Sequence, residues 1–444
     1  MIVRRRAAGR ARVAPSMAGR PARVQCARIR RRPNGKFRGR RGFLLGRFRR
    51  WAAVITASFF LFGCMVGPAA AGAVVFFSVH LYLHIPFCHR ICPYCSFHKH
   101  TPGGHDLRAF FRAVAAEARR AVDVHGCGSP RTIYFGGGTP TLPSRTVLAE
   151  FLDEFRGIFD FSQVEEWTVE ANPRTFDAEK IALLRDHGMT RVSLGVQAWD
   201  EATLATLGRD HSPDEARAAY QILREVGVSS VNVDLMFSIP GQRLATWEAT
   251  VDEMIALKPD HISAYNLNYE EDTEFFDRLT RGEFRTDDEN DASFFLLADE
   301  RLTAAGFDHY EVSNYAKPGH HSRHNRSYWE GADYVGLGPG AFSTVAGRRW
   351  KNVADTGAYT VLAAAGQLLE REVEHLTADD LRRERIALLV RTAEGVPLEV
   401  VGEAGMEAVG KLVEAGLAHP PAGGRLALTA QGRLVADSVA VELW

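Results

Sequence analysis

The stretch LHIPFCHRICPYCSF, Leu83 to Phe97, carries an alternating apolar pattern straight into three cysteines at the spacing Cys-x3-Cys-x2-Cys. Cys88, Cys92 and Cys95 are half of the six cysteines in the 444-residue chain. So few and so uneven a set does not read as a disulfide framework, and a metal or redox role in a reducing compartment fits it better. What surrounds the stretch decides what kind of fold presents it.

Downstream, short β-rich runs alternate with longer helical patterns. The strand candidates are VHLYLHI, TIYFGG, EWTVEAN, RVSLGVQ, VNVDLMF and HISAYNL. Between them, LRAFFRAVAAEARRAV puts Leu107, Phe110, Phe111, Val114 and Ala118 on one helical face. Ser212 opens SPDEARAAYQILREVG with Pro213 at the first helical position, Glu215 in a capping box and Gly227 as the stop. Six strand-helix units in a row predict an α/β fold, a partial (β/α)6-type barrel with a parallel sheet. The strand ends then fall on one rim: Cys88, GGGTPT (Gly136 to Thr141), Glu170, Gln197, Asp234, and Tyr265 with Asn266. Any one of these is also compatible with a satisfied structural residue, but six at the same edge mark it as the site.

The barrel is expected over 79–270, followed by an irregular, aromatic-rich extension over 271–374 and a C-terminal winged-helix-like α+β domain over 375–444. In the last, helices are expected at Ala378 to Thr392 and Gly405 to Ala415, with a hairpin in GLAHPPAGGRLALT. Its seven Lys and Arg against ten Asp and Glu favour packing or partner docking over DNA binding. The zero net charge of the whole chain conceals a divided one, because residues 1–50 hold 18 of the 54 basic residues and no acidic one. The remainder therefore has 54 − 18 = 36 basic against 54 acidic residues, which argues against nucleic acid as a partner. An uncharged run of 29 residues, Trp51 to Val79, follows the Arg-rich start. Its length permits a membrane span or signal sequence, and LFGC (Leu61 to Cys64) resembles a lipoprotein cleavage site. The reducing chemistry of the cysteine cluster favours another reading, in which the true start lies near Met65 and residues 1–78 are an extension outside the fold.

Three thiolates suit two kinds of centre. A structural zinc wants a fourth ligand, and His84, His89, His98 and His100 are near. A 4Fe-4S cube held by three cysteines leaves one iron open, able to chelate the amino and carboxylate groups of S-adenosylmethionine. On a loop after a first barrel strand, this spacing resembles the radical S-adenosylmethionine superfamily. LYLHIPFCHRICPYCSF, YFGGGTPT, VEANP, SLGVQ, LGRDHS and VDLMFSIPGQ run in the order seen in the oxygen-independent coproporphyrinogen III oxidase-like family. The resemblance covers about residues 80–345. It implies that Cys88, Cys92 and Cys95 ligate the cluster, and that Tyr82, Tyr94, Gly137, Gly138, Thr139, Glu170, Gln197, Arg209 and Asp234 contact S-adenosylmethionine.

Within that family, the oxidases have a further cysteine two residues after the third, where this chain has Phe97. The segment RHNRSYW supplies His324, Asn325 and Tyr328 in the His-Asn-x-x-Tyr pattern linked with haem binding in the HemW-like branch. The resemblance therefore implies a haem chaperone that binds a cluster, S-adenosylmethionine and haem and serves haem-accepting proteins. It also implies an electron donor and a cytoplasmic setting, with membrane association as a variant. The competing reading is an enzyme acting on a tetrapyrrole, by decarboxylation of coproporphyrinogen or another radical reaction. The bland reading of His324 is a loop histidine hydrogen-bonded within the fold, and His320 and His321 are expected to be solvated. Two positions depart from the pattern: Ser238 stands where the family has glycine, and Phe342 where HemW-like chains have histidine.

Overall fold

Strands β1 (His80–Ile85), β2 (Thr132–Gly137), β3 (Glu166–Ala171), β4 (Arg191–Gln197), β5 (Ser230–Phe237) and β6 (His261–Asn266) pair in sequence order, all parallel. The computed structural model to which they belong describes residues 79–444, and the extension expected over 1–78 lies outside the described residues. Each strand coincides within one residue with an alternating run named above. Parallel neighbours need a crossover. It is supplied by α1 (Leu107–His125), α2 (Arg145–Ile158), α3 (Ala178–Asp186), the pair α4 (Glu201–Thr206) and α5 (Pro213–Val226), and α6 (Leu244–Leu257). The helix ends follow local chemistry. Asp106 accepts from the Arg108 and Ala109 amides at the start of α1, and Gly126 ends it at φ 64°. Ser212 and Glu215 close the expected capping box of α5, and Gly227 stops it at φ 80°.

The period of two sorts each strand into two faces. Leu81, Leu83, Ile85, Ile133, Phe135, Trp167 and Val169 are buried with Phe110, Phe111, Val114 and Phe151 of the helices in the main core. The alternate residues are polar and line the concave side, as His80, Tyr82 and His84 do on β1. Pairing is in register, with Tyr82 beside Tyr134 and Glu170 beside Ser193 and, through it, Asn232. The concave side is therefore layered, with strand starts forming its floor and strand ends its rim.

The stretch expected to be irregular is ordered. After β6 come α7 (Glu274–Thr280), α8 (Asp288–Ala304), β7 (Asp308–Glu311), β8 (Asn314–Ala316), α9 (Arg323–Trp329), β9 (Tyr334–Leu337), β10 (Phe342–Val345) and β11 (Arg348–Asn352). Strands of three to five residues are too short to show an alternation, which is why the pattern was illegible. With β12 (Glu370–His375), beyond α10 (Thr356–Ala364), they extend the sheet to twelve strands in the order β12-β11-β10-β9-β1-β2-β3-β4-β5-β6-β8-β7. The sheet is open at both ends, so the barrel is partial. Beyond β12, α11 (Ala378–Leu389), a short α12 (Leu398–Val401), α13 (Met406–Glu414), β13 (Val396–Pro397) and β14 (Arg425–Leu426) enclose a second apolar cluster around Ile386, Val390, Leu412 and Leu426. The Ala393 amide donates to the Tyr310 carbonyl (2.9 Å), and Arg433 to the His309 carbonyl (3.1 Å), joining this part to β7. Among the described residues no helix is long and apolar enough to cross a membrane.

One buried carboxyl ties α1 to the strands beside β1. Glu117 accepts from the Gly338 amide (2.8 Å), from Asn352 Nδ2 (2.6 Å) and from the Tyr359 hydroxyl. Burial pushes its pKa up to about 7 despite these three donors, and burial likewise raises Glu170 and Glu311 to about 7. Such groups keep their protons longer in the folded chain, so stability falls as pH rises toward 7. Buried His80, His84 and His211, lowered to about 4 by burial, act in the opposite sense, but only below their unfolded value of 6.5. The carboxyls act alone above that value. The thermal midpoint should therefore drop between about pH 6.5 and 8, and Glu117→Gln should make that drop shallower. An unchanged slope in scanning calorimetry would remove Glu117 from this account.

Candidate functional site

The cysteine loop leaves the rim end of β1 and is pinned at both ends. The Cys88 amide donates to the His100 carbonyl (3.0 Å) and the His100 amide to the Pro86 carbonyl (2.8 Å), closing the loop at its neck. Inside it, the Cys95 amide donates to the Cys92 carbonyl (3.2 Å). The Phe275 amide reaches the Pro93 carbonyl (3.1 Å), and Tyr94 packs 6.1 Å from the Phe275 ring in a small apolar cluster with Leu207, Met236 and Leu267. Tyr94 thus anchors the loop. Cys88, Cys92 and Cys95 are free and half-buried. Burial pushes the Cys88 thiol up to about 11, against a hydrogen bond from Thr139 that favours the thiolate, and burial also raises Cys95.

Two of the three thiols belong to one hydrogen-bonded chain across the rim. Thr139 Oγ1 donates to Cys88 Sγ (3.8 Å), and Asn172 Nδ2 donates to Thr139 Oγ1 (2.9 Å). Arg209 donates to Asn172 Oδ1, to the Gly195 carbonyl (2.7 Å) and to Cys92 Sγ (3.6 Å). Asn172 is its centre, and it was not among the expected site residues. Its signal was the polar side chain one position beyond the end of β3, inside VEANP.

The glycines of GGGTPT shape the turn itself. A Cβ on Gly138 would lie 2.7 Å from the Ile85 carbonyl and 2.8 Å from the Phe87 amide nitrogen. One on Gly137, at φ 104°, would strike the His84 ring at 2.3 Å. These glycines therefore let the second strand end close against the first. The Gly138 amide donates to the Ile85 carbonyl and the Thr139 amide to the Phe87 carbonyl, both at 2.8 Å, which fixes the entry to Cys88.

Glu170 accepts from Tyr134 OH (2.8 Å) and the Gly137 amide (2.9 Å), joining the concave side to the glycine turn. Asp234 accepts from Ser193 Oγ (3.0 Å) and Asn232 Nδ2 (2.7 Å), and burial raises its pKa. Gln197 takes φ 72° at a register shift between β4 and β5, a bulge that turns the strand end at the rim. Tyr82 lies one layer below His84, its hydroxyl 2.9 Å from His84 Nδ1.

His324, Asn325 and Tyr328 lie at the opposite end of the strands. α9 closes the floor, where Glu166 of β3 accepts from Ser322 Oγ (3.3 Å) and from the amides of Arg323 (3.1 Å) and His324 (3.0 Å). His324 is 1% exposed. Its Nδ1 pairs with Thr132 Oγ1 (2.6 Å) and its Nε2 with Tyr328 OH (3.1 Å), and its ring stacks 5.0 Å from Tyr134. Burial, reinforced by His80, lowers its pKa to about 3, so the ring is neutral. The expected haem ligand thus has no free nitrogen in this arrangement, and the bland reading describes its place. Asn325 is half-buried, with its amide on Ser322 Oγ (3.3 Å), and Tyr328 meets Tyr334 edge-on at 4.7 Å. His320 and His321, expected to be solvated, are half-buried. His320 Nδ1 lies 3.2 Å from Ser230 Oγ, and His321 stacks on Tyr310 at 4.3 Å, beyond a turn after β8 in which the His320 amide donates to the Lys317 carbonyl (3.0 Å).

Both departures from the family pattern have a visible place. Ser238 takes φ 61°, a left-handed value that glycine adopts freely, and its Oγ is buried without a hydrogen-bond partner. Phe342 is exposed at the start of β10, with the Lys351 ammonium 5.3 Å from its ring. The donor set at the rim fits an iron-sulfur group. Three soft thiols sit on one loop, and two of them receive hydrogen bonds from neutral and cationic donors, as cluster sulfurs commonly do. Among the described residues no three His, Cys, Asp or Glu side chains converge as a single metal ion requires, whereas a cube takes one thiolate at each of several corners.

The family described as the radical SAM superfamily matches residues 82–254. The chain is similar to heme chaperone HemW of Mycobacterium tuberculosis H37Rv, 40% identical over 363 residues, covering 81% of this chain and 93% of the relative. It is also similar to heme chaperone HemW of Bacillus subtilis, 32% identical over 368 residues, covering 81% and 97%. Among solved structures, coproporphyrinogen III oxidase (HemN) from Escherichia coli superposes with a TM-score of 0.71 at 20% identity, over 83% of this chain and 90% of that one, which shows a shared fold.

Two substitutions probe the rim. Asn172→Ala keeps every cysteine but breaks the chain between Thr139 and Arg209, and a chelator should strip iron from the reconstituted variant about tenfold faster, the kinetic equivalent of about 1.4 kcal/mol. Wild-type loss rates would count against a role for Asn172. Ser238→Gly relieves the left-handed backbone and should raise the urea-unfolding free energy by about 1 kcal/mol.

Proposed function

The chain belongs to the HemW family of the radical SAM superfamily, and on that premise we propose that it is a haem chaperone, binding a 4Fe-4S cluster, S-adenosylmethionine and haem and passing haem to acceptor proteins. The observation that carries this reading is the extent of the relation, which runs over nearly the whole length of the mycobacterial relative. Phe97 supports it from within the site: it is 68% exposed where the related oxidases have a cysteine.

In this reading Cys88, Cys92 and Cys95 would hold the cluster. When bound, that group supplies an electron to the sulfonium of S-adenosylmethionine. The chain's own residues bind and orient. Arg209, which holds Cys92 and Asn172, would pair the cofactor's carboxylate. Glu170, Gln197 and Asp234 offer acceptors or donors to amino and hydroxyl groups. Gly137, Gly138 and Thr139 hold the turn beside Cys88, Tyr82 supports His84 from below, and Tyr94 anchors the loop. Assembly must displace the protons that burial keeps on Cys88 and Cys95. The thiols call for a reducing compartment, and the cytoplasm is the proposed location. The partners are a haem-accepting protein and an electron donor.

Haem titration of the anaerobically reconstituted full chain tests the proposal. Saturable uptake with a shifted Soret band, and transfer to an apo-haemoprotein, is the expected result, and absence of uptake rejects it. Incubation with S-adenosylmethionine, reductant and coproporphyrinogen III should give no vinyl product, and a vinyl product would favour the oxidase reading.

A further inference from the structure

His324 is separated from the cysteine loop by the length of the strands. Its partner Thr132 is the first residue of β2, whereas the loop follows the last residue of β1, and a six-residue strand spans roughly 17 Å between its ends. A relay of two side chains, Tyr134 and Glu170, connects the two ends. Tyr134 receives the His324 ring on its face (5.0 Å, 30° between planes), while its hydroxyl donates to Glu170 Oε1 (2.8 Å). Glu170 Oε2 then accepts from the Gly137 amide (2.9 Å), on the turn that abuts the cysteine loop. At the floor, His324 is held from three sides, by Thr132, by Tyr328 and, through its amide, by Glu166. Thr132 Oγ1 also contacts His80 Nδ1 (2.8 Å), so the latch bridges β1, β2, β3 and α9.

An axial ligand to haem iron needs an exposed nitrogen lone pair, and His324 has both nitrogens engaged and 1% exposure. We infer that His324 is a positioning residue: with Tyr328 it latches α9 across the barrel floor and, through Tyr134, sets Glu170 and the glycine turn for S-adenosylmethionine, and it does not ligate haem. The inference deepens the haem-chaperone reading and rests on it for the identity of the rim ligand. The His-Asn-x-x-Tyr segment then links floor to rim, and an iron ligand must come from elsewhere in the chain.

Equilibrium S-adenosylmethionine binding and haem titration are measured on the same reconstituted preparations of wild type, His324→Ala, Tyr328→Phe, Tyr134→Phe and the His324→Ala/Tyr134→Phe double variant. His324→Ala should weaken S-adenosylmethionine binding about tenfold, while haem stoichiometry and Soret position stay as in wild type. Tyr328→Phe, which keeps the packing and removes one hydroxyl, should give a smaller loss in the same direction. Tyr134→Phe keeps the ring stack but lacks the donor to Glu170, so the double variant should bind no more weakly than the worse single one, because both act on one route. Additive losses, or S-adenosylmethionine affinity unchanged in every variant, overturn the inference, as does loss of the haem Soret shift in folded His324→Ala or Tyr328→Phe. Wild-type protein that takes up no haem would defeat the chaperone reading alone, since the affinities for S-adenosylmethionine would still decide the latch. Wild-type protein that binds no S-adenosylmethionine would defeat both.

Discussion

A parallel sheet whose concave side is lined with polar groups has to satisfy each of them internally, because little water reaches that side and an unpaired buried donor or acceptor costs about 1–3 kcal/mol. Most of the arrangement follows from this. Arg191 is 3% exposed and spends its guanidinium on Ser230 Oγ and the His320 carbonyl. Asn232 donates to Ser193, Asp234 and Ser263 while accepting from His261 Nδ1 at 2.6 Å. His261 continues to Tyr310 OH at 2.7 Å, and that hydroxyl accepts from the Ser322 amide at the head of α9. The network joins strands to the floor helix, and Asp234 within it carries a raised pKa as the electrostatic consequence of the same burial.

The rim uses the opposite resource, closeness of backbone. Because Gly138 has no Cβ, the end of β2 can donate two amides to the chain entering Cys88, and the loop is set before any ligand arrives. The Thr139, Asn172 and Arg209 side chains then bridge Cys88 and Cys92 across β3 and β4. A cluster site built this way is preorganised by the barrel: its thiols are placed by strand pairing, with the hydrogen bonds that tune sulfur coming from residues far apart in sequence.

Rim and floor bear different relations to function. Site chemistry collects where the strands end, as in other barrels of this type, whereas the floor is closed by α9 and by the Glu166 carboxylate at its head. The RHNRSYW segment, with His324, Asn325 and Tyr328, packs under the barrel floor. Exposed apolar side chains are found at the rim, where Phe97 and Phe342 stand at 68% and 44% exposure.

The sequence by itself determined the six parallel strands, the capped helices between them and the three-cysteine loop. Each is written in local signals: a period of two, a capping box, a spacing of thiols. It also determined which strand ends face the site, since alternation assigns sides once the strand is known. Only tertiary structure decided what those residues touch. Asn172 had no local mark beyond its place after β3, and its role exists only because Thr139 and Arg209 are brought to it. His324 was a haem-binding candidate through the His-Asn-x-x-Tyr pattern, and a histidine in such a pattern looks the same whether its nitrogens are free or engaged. Thr132, 192 residues earlier, engages one of them, and no local pattern records a contact made across that much chain.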